Sequence, residues 1–350
     1  MEYKGRNSNN GHKVMTIIIC AITLWLGSNS VYSKELLDVP VGISPVMSSA
    51  AMFIAKERGY FEQQGLNVII NPFKASGAKM VPFLATGQLL VAGGNINAGM
   101  YNAIAHDIPI KIVSDKGTVS PGHGYLGLIV RKDHVDSGRY KSFKDLKGMT
   151  MAVTAKGVSQ QIVTELYLKK AGLKPDDIKL VYLAYQDMNI ALANKSIDAT
   201  VQIEPLVAAV VSKNIAVRVA GNDEIYPNQQ SAAIFYSPVF IEKHPEQAKA
   251  FMVAYVKGLR DYNDGFEKQQ GKDDIIDILT KHTRIRDKSV YQSVVPVGLN
   301  PDGMVNMLSL KSDARWYTDK GFIKHLPDID TIVDLSFARH AVQVLGPYKP

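Results

Sequence analysis

Residues 36–72 read LLDVPVGISPVMSSAAMFIAKERGYFEQQGLNVIINP, and this stretch decides the fold. The apolar run from Leu37 to Gly42 suits a buried strand, and the small-residue turn Ser44-Pro45 leads into an amphipathic helix. Met52, Phe53 and Ile54 give that helix its apolar residues. Lys56, Glu57 and Arg58 follow, and Gly59 supplies a stop that tolerates the left-handed conformation. Tyr60 and Phe61 come next, then the Gly65 turn and a second apolar run, Leu66 to Ile70. Together these make one β-α-β unit, for which a right-handed parallel crossover is the default. Its mouth lies where the first strand hands over to the helix.

The wording of the stretch adds to its periodicity. Ala55-Lys56-Glu57-Arg58-Gly59-Tyr60-Phe61, followed by Gly65-Leu66-Asn67-Val68, resembles the A-x-E-x-G-Y-F-x-x-x-G-L-D-V opening of periplasmic solute-binding proteins of the nitrate/sulfonate/taurine type. These share their fold with binders of thiamine pyrimidine precursors. Ser142 to Gly148, the run Gly172 to Asp177, and Ile197 to Pro205 resemble later signatures of the same family. Three places depart from it: Leu90 stands where an aspartate is usual, Asp107-Ile108 opens the Pro109 to Val113 strand, and Asn194-Lys195 replaces a commoner glycine. The resemblance covers about residues 36 to 260. It implies an α/β chain of the two-lobed, type II periplasmic-binding-protein fold, two doubly wound sheets joined by a strand hinge. Residues 34–128 with 234–350 are expected to form the first lobe, and 129–233 the second. The strand from Gly122 to Arg131 is read as crossing between them, Ser231 to Tyr236 as the return, and the C-terminal helices as packing on the first lobe.

The bulk composition agrees with an ordinary globular protein: 350 residues, 46% hydrophobic and 21% charged, enough for two domains. The net charge of +7 is spread without a lysine or arginine block, which argues against a nucleic-acid partner. Residues 1–33 have the layout of a secretory signal. Lys4, Arg6 and Lys13 precede the apolar run Met15 to Leu26, and Val31-Tyr32-Ser33 ends in a small residue. A run this short falls below the ~20 residues of a membrane span, so cleavage and a periplasmic location are expected. The one cysteine, Cys20, lies inside this run and is preceded by Ile19, which argues against a lipid anchor. A chain cleaved near Ser33 then offers no thiolate for catalysis or metal binding. The desulfinases that resemble these binders need such a cysteine.

In open α/β sheets ligands bind where strands give way to helix N-termini, whose unpaired N–H groups favour anions. The candidate mouths place Ser44 and Met47, Ser76 and Gly77, Asn95 and Asn97, Gly157 and Ser159, Tyr185 and Gln186, and Gln202 and Glu204 around a cleft. His123 and Tyr125 lie on the expected crossover. Each has a structural alternative: serines cap helices, asparagines serve turns, and tyrosines fill cores. Glu204 either opens a helix or points into the cleft, where it would disfavour a bare anion and favour an amine or ring N–H. The eight histidines show no metal-ligand spacing, and neither metal nor cofactor is expected.

Two functions fit. The first is a monomeric receptor that closes on a small solute and delivers it to the membrane subunits of an ABC importer. The second is an exported enzyme on the same scaffold, pairing His123 with Glu204 or Asp187 as acid and base, although no spacing joins these residues.

Overall fold

A computed structural model describes residues 35–73 and 77–349. The segment read as a signal peptide, and Ser76 of the second mouth, lie outside these residues. The opening unit forms as its sequence predicts. Strand β1 (Leu37–Ile43) runs parallel to β2 (Leu66–Pro72), with the helix Ala50–Glu57 between them. Gly59 takes its left-handed conformation at φ +67° and starts a short second helix, Tyr60–Gln63, rather than a plain stop.

Eight more strands follow among the described residues: β3 (Val91–Asn95), β4 (Lys111–Val119), β5 (Leu126–Arg131), β6 (Thr150–Val153), β7 (Lys179–Tyr182), β8 (Ala199–Ile203), β9 (Ala216–Gly221) and β10 (Gln229–Tyr236). They build two five-stranded sheets, ordered β2-β1-β3-β10-β4 and β7-β6-β8-β5-β9. Each is mixed by the same rule. The β1, β2 and β3 strands are parallel and β10 enters antiparallel between β3 and β4; β6, β7 and β8 are parallel and β5 enters antiparallel between β8 and β9. The described residues from Glu35 on form one compact unit.

The crossings differ from expectation. The β5 strand lies wholly in the second sheet and β10 wholly in the first, so the expected boundaries after 128 and 233 fall inside strands. The chain changes sheets in the irregular stretch between β4 and β5 and again between β9 and β10. A strand paired along its length cannot also bridge two sheets. Tyr185 to Met188 form the first turn of the helix Tyr185–Ala193.

The long amphipathic helix Pro245–Glu267 packs on Ala50–Glu57, and Lys272–His282 and Ser336–Leu345 join it. Phe61, Phe251, Tyr236, Phe240 and Phe337 form an aromatic cluster under it. The C-terminal chain also reaches the second sheet, where Val290 packs on Ala208 and Ala209 of the helix Leu206–Ser212. The two helices approach closely at Gly258, where an added Cβ would clash with the Ala51 carbonyl oxygen. Gly258→Ala should therefore lower stability by about 1–3 kcal/mol in urea unfolding; an unchanged midpoint would contradict this packing.

Candidate functional site

The C-terminal ends of β1, β3 and β8 converge where the chain crosses between sheets, and a pocket lies there with walls from both. From the first sheet come Ser44, Val46 and Ser48 beyond β1, Gly94 and Asn95 of β3, Lys116 of β4, and Ser231 and Ala232 of β10. The second sheet contributes Tyr125 and Leu126 at the start of β5, Tyr185 and Ile203. The cavity volume is only about 10 Å³, room for about one water.

Four of the sequence candidates thus meet here: Ser44, Asn95, Tyr125 and Tyr185. Others clamp the two layers together beside the pocket. The Ala98 N–H donates to the Gly157 carbonyl at 2.8 Å, the Ser159 N–H to Ile96 at 3.1 Å, and the Met47 N–H to Glu204 at 3.1 Å. The Ser159 hydroxyl donates to the Ser231 carbonyl at 2.9 Å. Gly157 needs its φ of +69°, and a Cβ there would meet that of Ala98 at 3.1 Å. Met47 itself is fully buried in the core. Asn97 caps the helix Ala98–Ile104, accepting from the Met100 N–H at 2.9 Å. Gln202 donates to the Tyr185 carbonyl and to Asn189, which fixes the Tyr185 helix, and the buried Gln186 has an oxygen with no partner. Gly77 opens the 3-10 turn Gly77–Met80 and is not part of this pocket's lining.

Glu204 and His123 are placed otherwise than a cleft role requires. The Glu204 carboxylate accepts from the Ala208 N–H at 3.0 Å and the Val295 N–H at 3.3 Å, with Arg218 at 3.4 Å. It caps the helix Leu206–Ser212 and does not line the pocket. His123 pairs with Glu267 at 2.8 Å in a separate cleft, and Asp187 is exposed. The acid/base pair of the enzymatic reading is therefore not assembled.

Lys116 was not among the sequence candidates. It is 2% exposed, and its ammonium donates to the Ser48 hydroxyl at 2.9 Å. Burial pushes its pKa down to about 7, against the opposing charge of Asp115. The Asp115 carboxylate is itself occupied by Gly117, Thr118, Gln230 and Asn300. Gly93 makes room for the lysine, since a Cβ there would lie 2.8 Å from the Lys116 Cδ. Two charged residues inside the buried strand KIVSDKGTV were the signal available in the sequence.

Burial also raises the Glu204 pKa from 4.5 to about 7, opposed by its backbone N–H donors and Arg218. A carboxyl protonated more readily when folded contributes stability below pH 4.5 that is lost as pH rises through about 7. Glu204→Gln should flatten that part of the decline in a pH series of melting curves; a slope identical to wild type would contradict the assignment.

A sequence model of the family described as NMT1/THI5 like matches residues 47–264. A Brucella abortus chain, provisionally named a binding protein, is 26% identical over 291 residues, covering 79% of this chain and 84% of that one. Among solved structures, the periplasmic nitrate-binding protein NrtA of Synechocystis superposes with a TM-score of 0.71 at 15% identity, covering 89% of this chain and 90% of that one. The alkanesulfonate-binding protein SsuA of Xanthomonas axonopodis, bound to MOPS, gives 0.68 at 18% identity, covering 86% and 99%. With well over half its length matched by one family, and with that fold and pocket, this chain belongs to the NMT1/THI5-like family.

Proposed function

We propose that this chain is the solute-binding component of an ABC importer, exported through a cleaved signal and acting as a monomer in the periplasm. Its solute is a small organic or anionic molecule, in the range of a sulfonate, nitrate or pyrimidine, held between two lobes, each built on one sheet. The single observation that carries this reading is the pocket's position. It is walled by both sheets, is lined by Tyr125 of the first crossing, and has room for about one water. A solute enters only if the layers part, and the two irregular crossings are where the chain can bend. Contacts from both lobes then favour the closed state, which the membrane subunits of the importer recognise. Membership of the family and the likeness to NrtA and SsuA support the same reading. No helix among the described residues is long and apolar enough to cross a membrane. His123, the base an enzymatic reading needs, is held by Glu267 outside the pocket.

The test is thermal unfolding of the chain without residues 1–33 against taurine, alkyl and aromatic sulfonates, nitrate, carboxylates and thiamine pyrimidines. A cargo at about a thousand times its dissociation constant adds about 4 kcal/mol of stability. A shift by one chemical class is expected, and no shift by any would count against the receptor. Gly157→Val should weaken that cargo's affinity by about tenfold or more, because the branched side chain would meet Ala98 across the two layers and strain the left-handed backbone there. Wild-type affinity in this variant would contradict closure at Gly157.

A further inference from the structure

Lys116, Ser48 and Tyr185 bring hydrogen-bond donors to the pocket. The Lys116 ammonium carries three N–H groups, and among the described residues its one protein partner is the Ser48 oxygen. Ser48, in accepting that bond, keeps its own hydrogen. Tyr185 accepts from the Asn95 side chain at 3.3 Å and likewise keeps its O–H to give. No carboxylate among the described residues lines the pocket: Asp115 is taken up by four other donors, and Glu204 faces Arg218, Ala208 and Val295. Desolvation of the buried ammonium outweighs the charge of Asp115, whose carboxylate is engaged elsewhere, and an entering anion offsets that cost.

We infer that Lys116 selects the charge of the cargo: the solute presents a compact anionic group to the Lys116 ammonium, Ser48 and Tyr185 donate to its other acceptor atoms, and capture takes up a proton from solvent onto Nζ. This rests on the receptor reading above. The proton fills the lone pair that the amine holds when neutral, and no covalent bond to the cargo forms or breaks.

Burial places the empty-state pKa of Lys116 at about 7, so near neutrality a good part of the empty protein carries a neutral amine. The other titratable groups facing it are Tyr125 and Tyr185, whose pKa values burial raises, the latter to about 12, and Asp115 on its own strand, also raised by burial. Above pH 7 the anion must bring its proton from solvent, and apparent affinity falls by up to about tenfold per pH unit. Glu204 and Asp313, each with a pKa of about 7, titrate in the same range from outside the pocket lining. Glu204→Gln and Asp313→Asn serve as controls.

Calorimetry tests this with methanesulfonate and nitrate as probes, dimethyl sulfone as the neutral isostere, and two buffers of different ionisation enthalpy between pH 6.5 and 8.5. At least one anion is expected to bind with about half a proton taken up at pH 7 and nearly one at pH 8.5. Lys116→Met should cost about a hundredfold or more in affinity and abolish the uptake, while the two controls retain both. Thermal unfolding without solute verifies that Lys116→Met is folded. The inference is overturned if neither anion binds, if dimethyl sulfone binds as tightly, or if Lys116→Met keeps the wild-type affinity or proton uptake. Stabilisation by a neutral solute alone would leave the receptor standing without the role for Lys116; stabilisation by no solute at all would remove both.

Discussion

The structure depends on the pairing of β10 with β4. The two strands come from opposite sides of the excursion into the second sheet, yet lie side by side with Gln229 against Val119 and Tyr236 against Lys111. In the second sheet β5 and β9, which receive and return the chain, are neighbours as well. Both crossings therefore run between the same two strand pairs, and the sheets can rotate about them without breaking a ladder. The same pairing builds the pocket. It puts Lys116 and Ser231 on adjacent strands and brings Tyr125, at the start of β5, against the Ser231 hydroxyl, which donates on to the Gly117 carbonyl at 3.0 Å.

The bonds that close the layers have a modest total strength. Ala98 to Gly157, Ser159 to Ile96 and to Ser231, and Met47 to Glu204 are hydrogen bonds worth about 1 kcal/mol each, and water replaces them when the layers part. An ion pair at the rim, Lys320 with Glu165, adds little more. The buried lysine acts in the opposite sense: without an anion its burial disfavours the closed pocket, and with one the same group holds it shut.

The fold was legible because its signals are local. The β-α-β opening, Gly59, Gly65 and the signatures around Asp145, Asp177 and Pro205 each lie within a few residues of chain. Half-legible residues were those at strand ends: Ser44, Asn95 and Tyr185 follow from the rule that parallel strands point their C-termini at the ligand, and Tyr125 from its place on the crossover. The rest depended on partners remote in sequence. Glu204 is drawn to Val295 and His123 to Glu267, and no pattern around either residue reveals those contacts. Lys116 announced itself only as a charge inside a buried strand. Its direction was set by Gly93, whose missing side chain leaves the space its stem occupies.

Small-angle scattering of the chain without residues 1–33, recorded with and without a saturating solute identified by its melting shift, tests the central claim most directly. A measurable contraction in radius of gyration is expected on binding, as the two sheets close about their paired crossings. A bound protein with the same radius as the free one would contradict it.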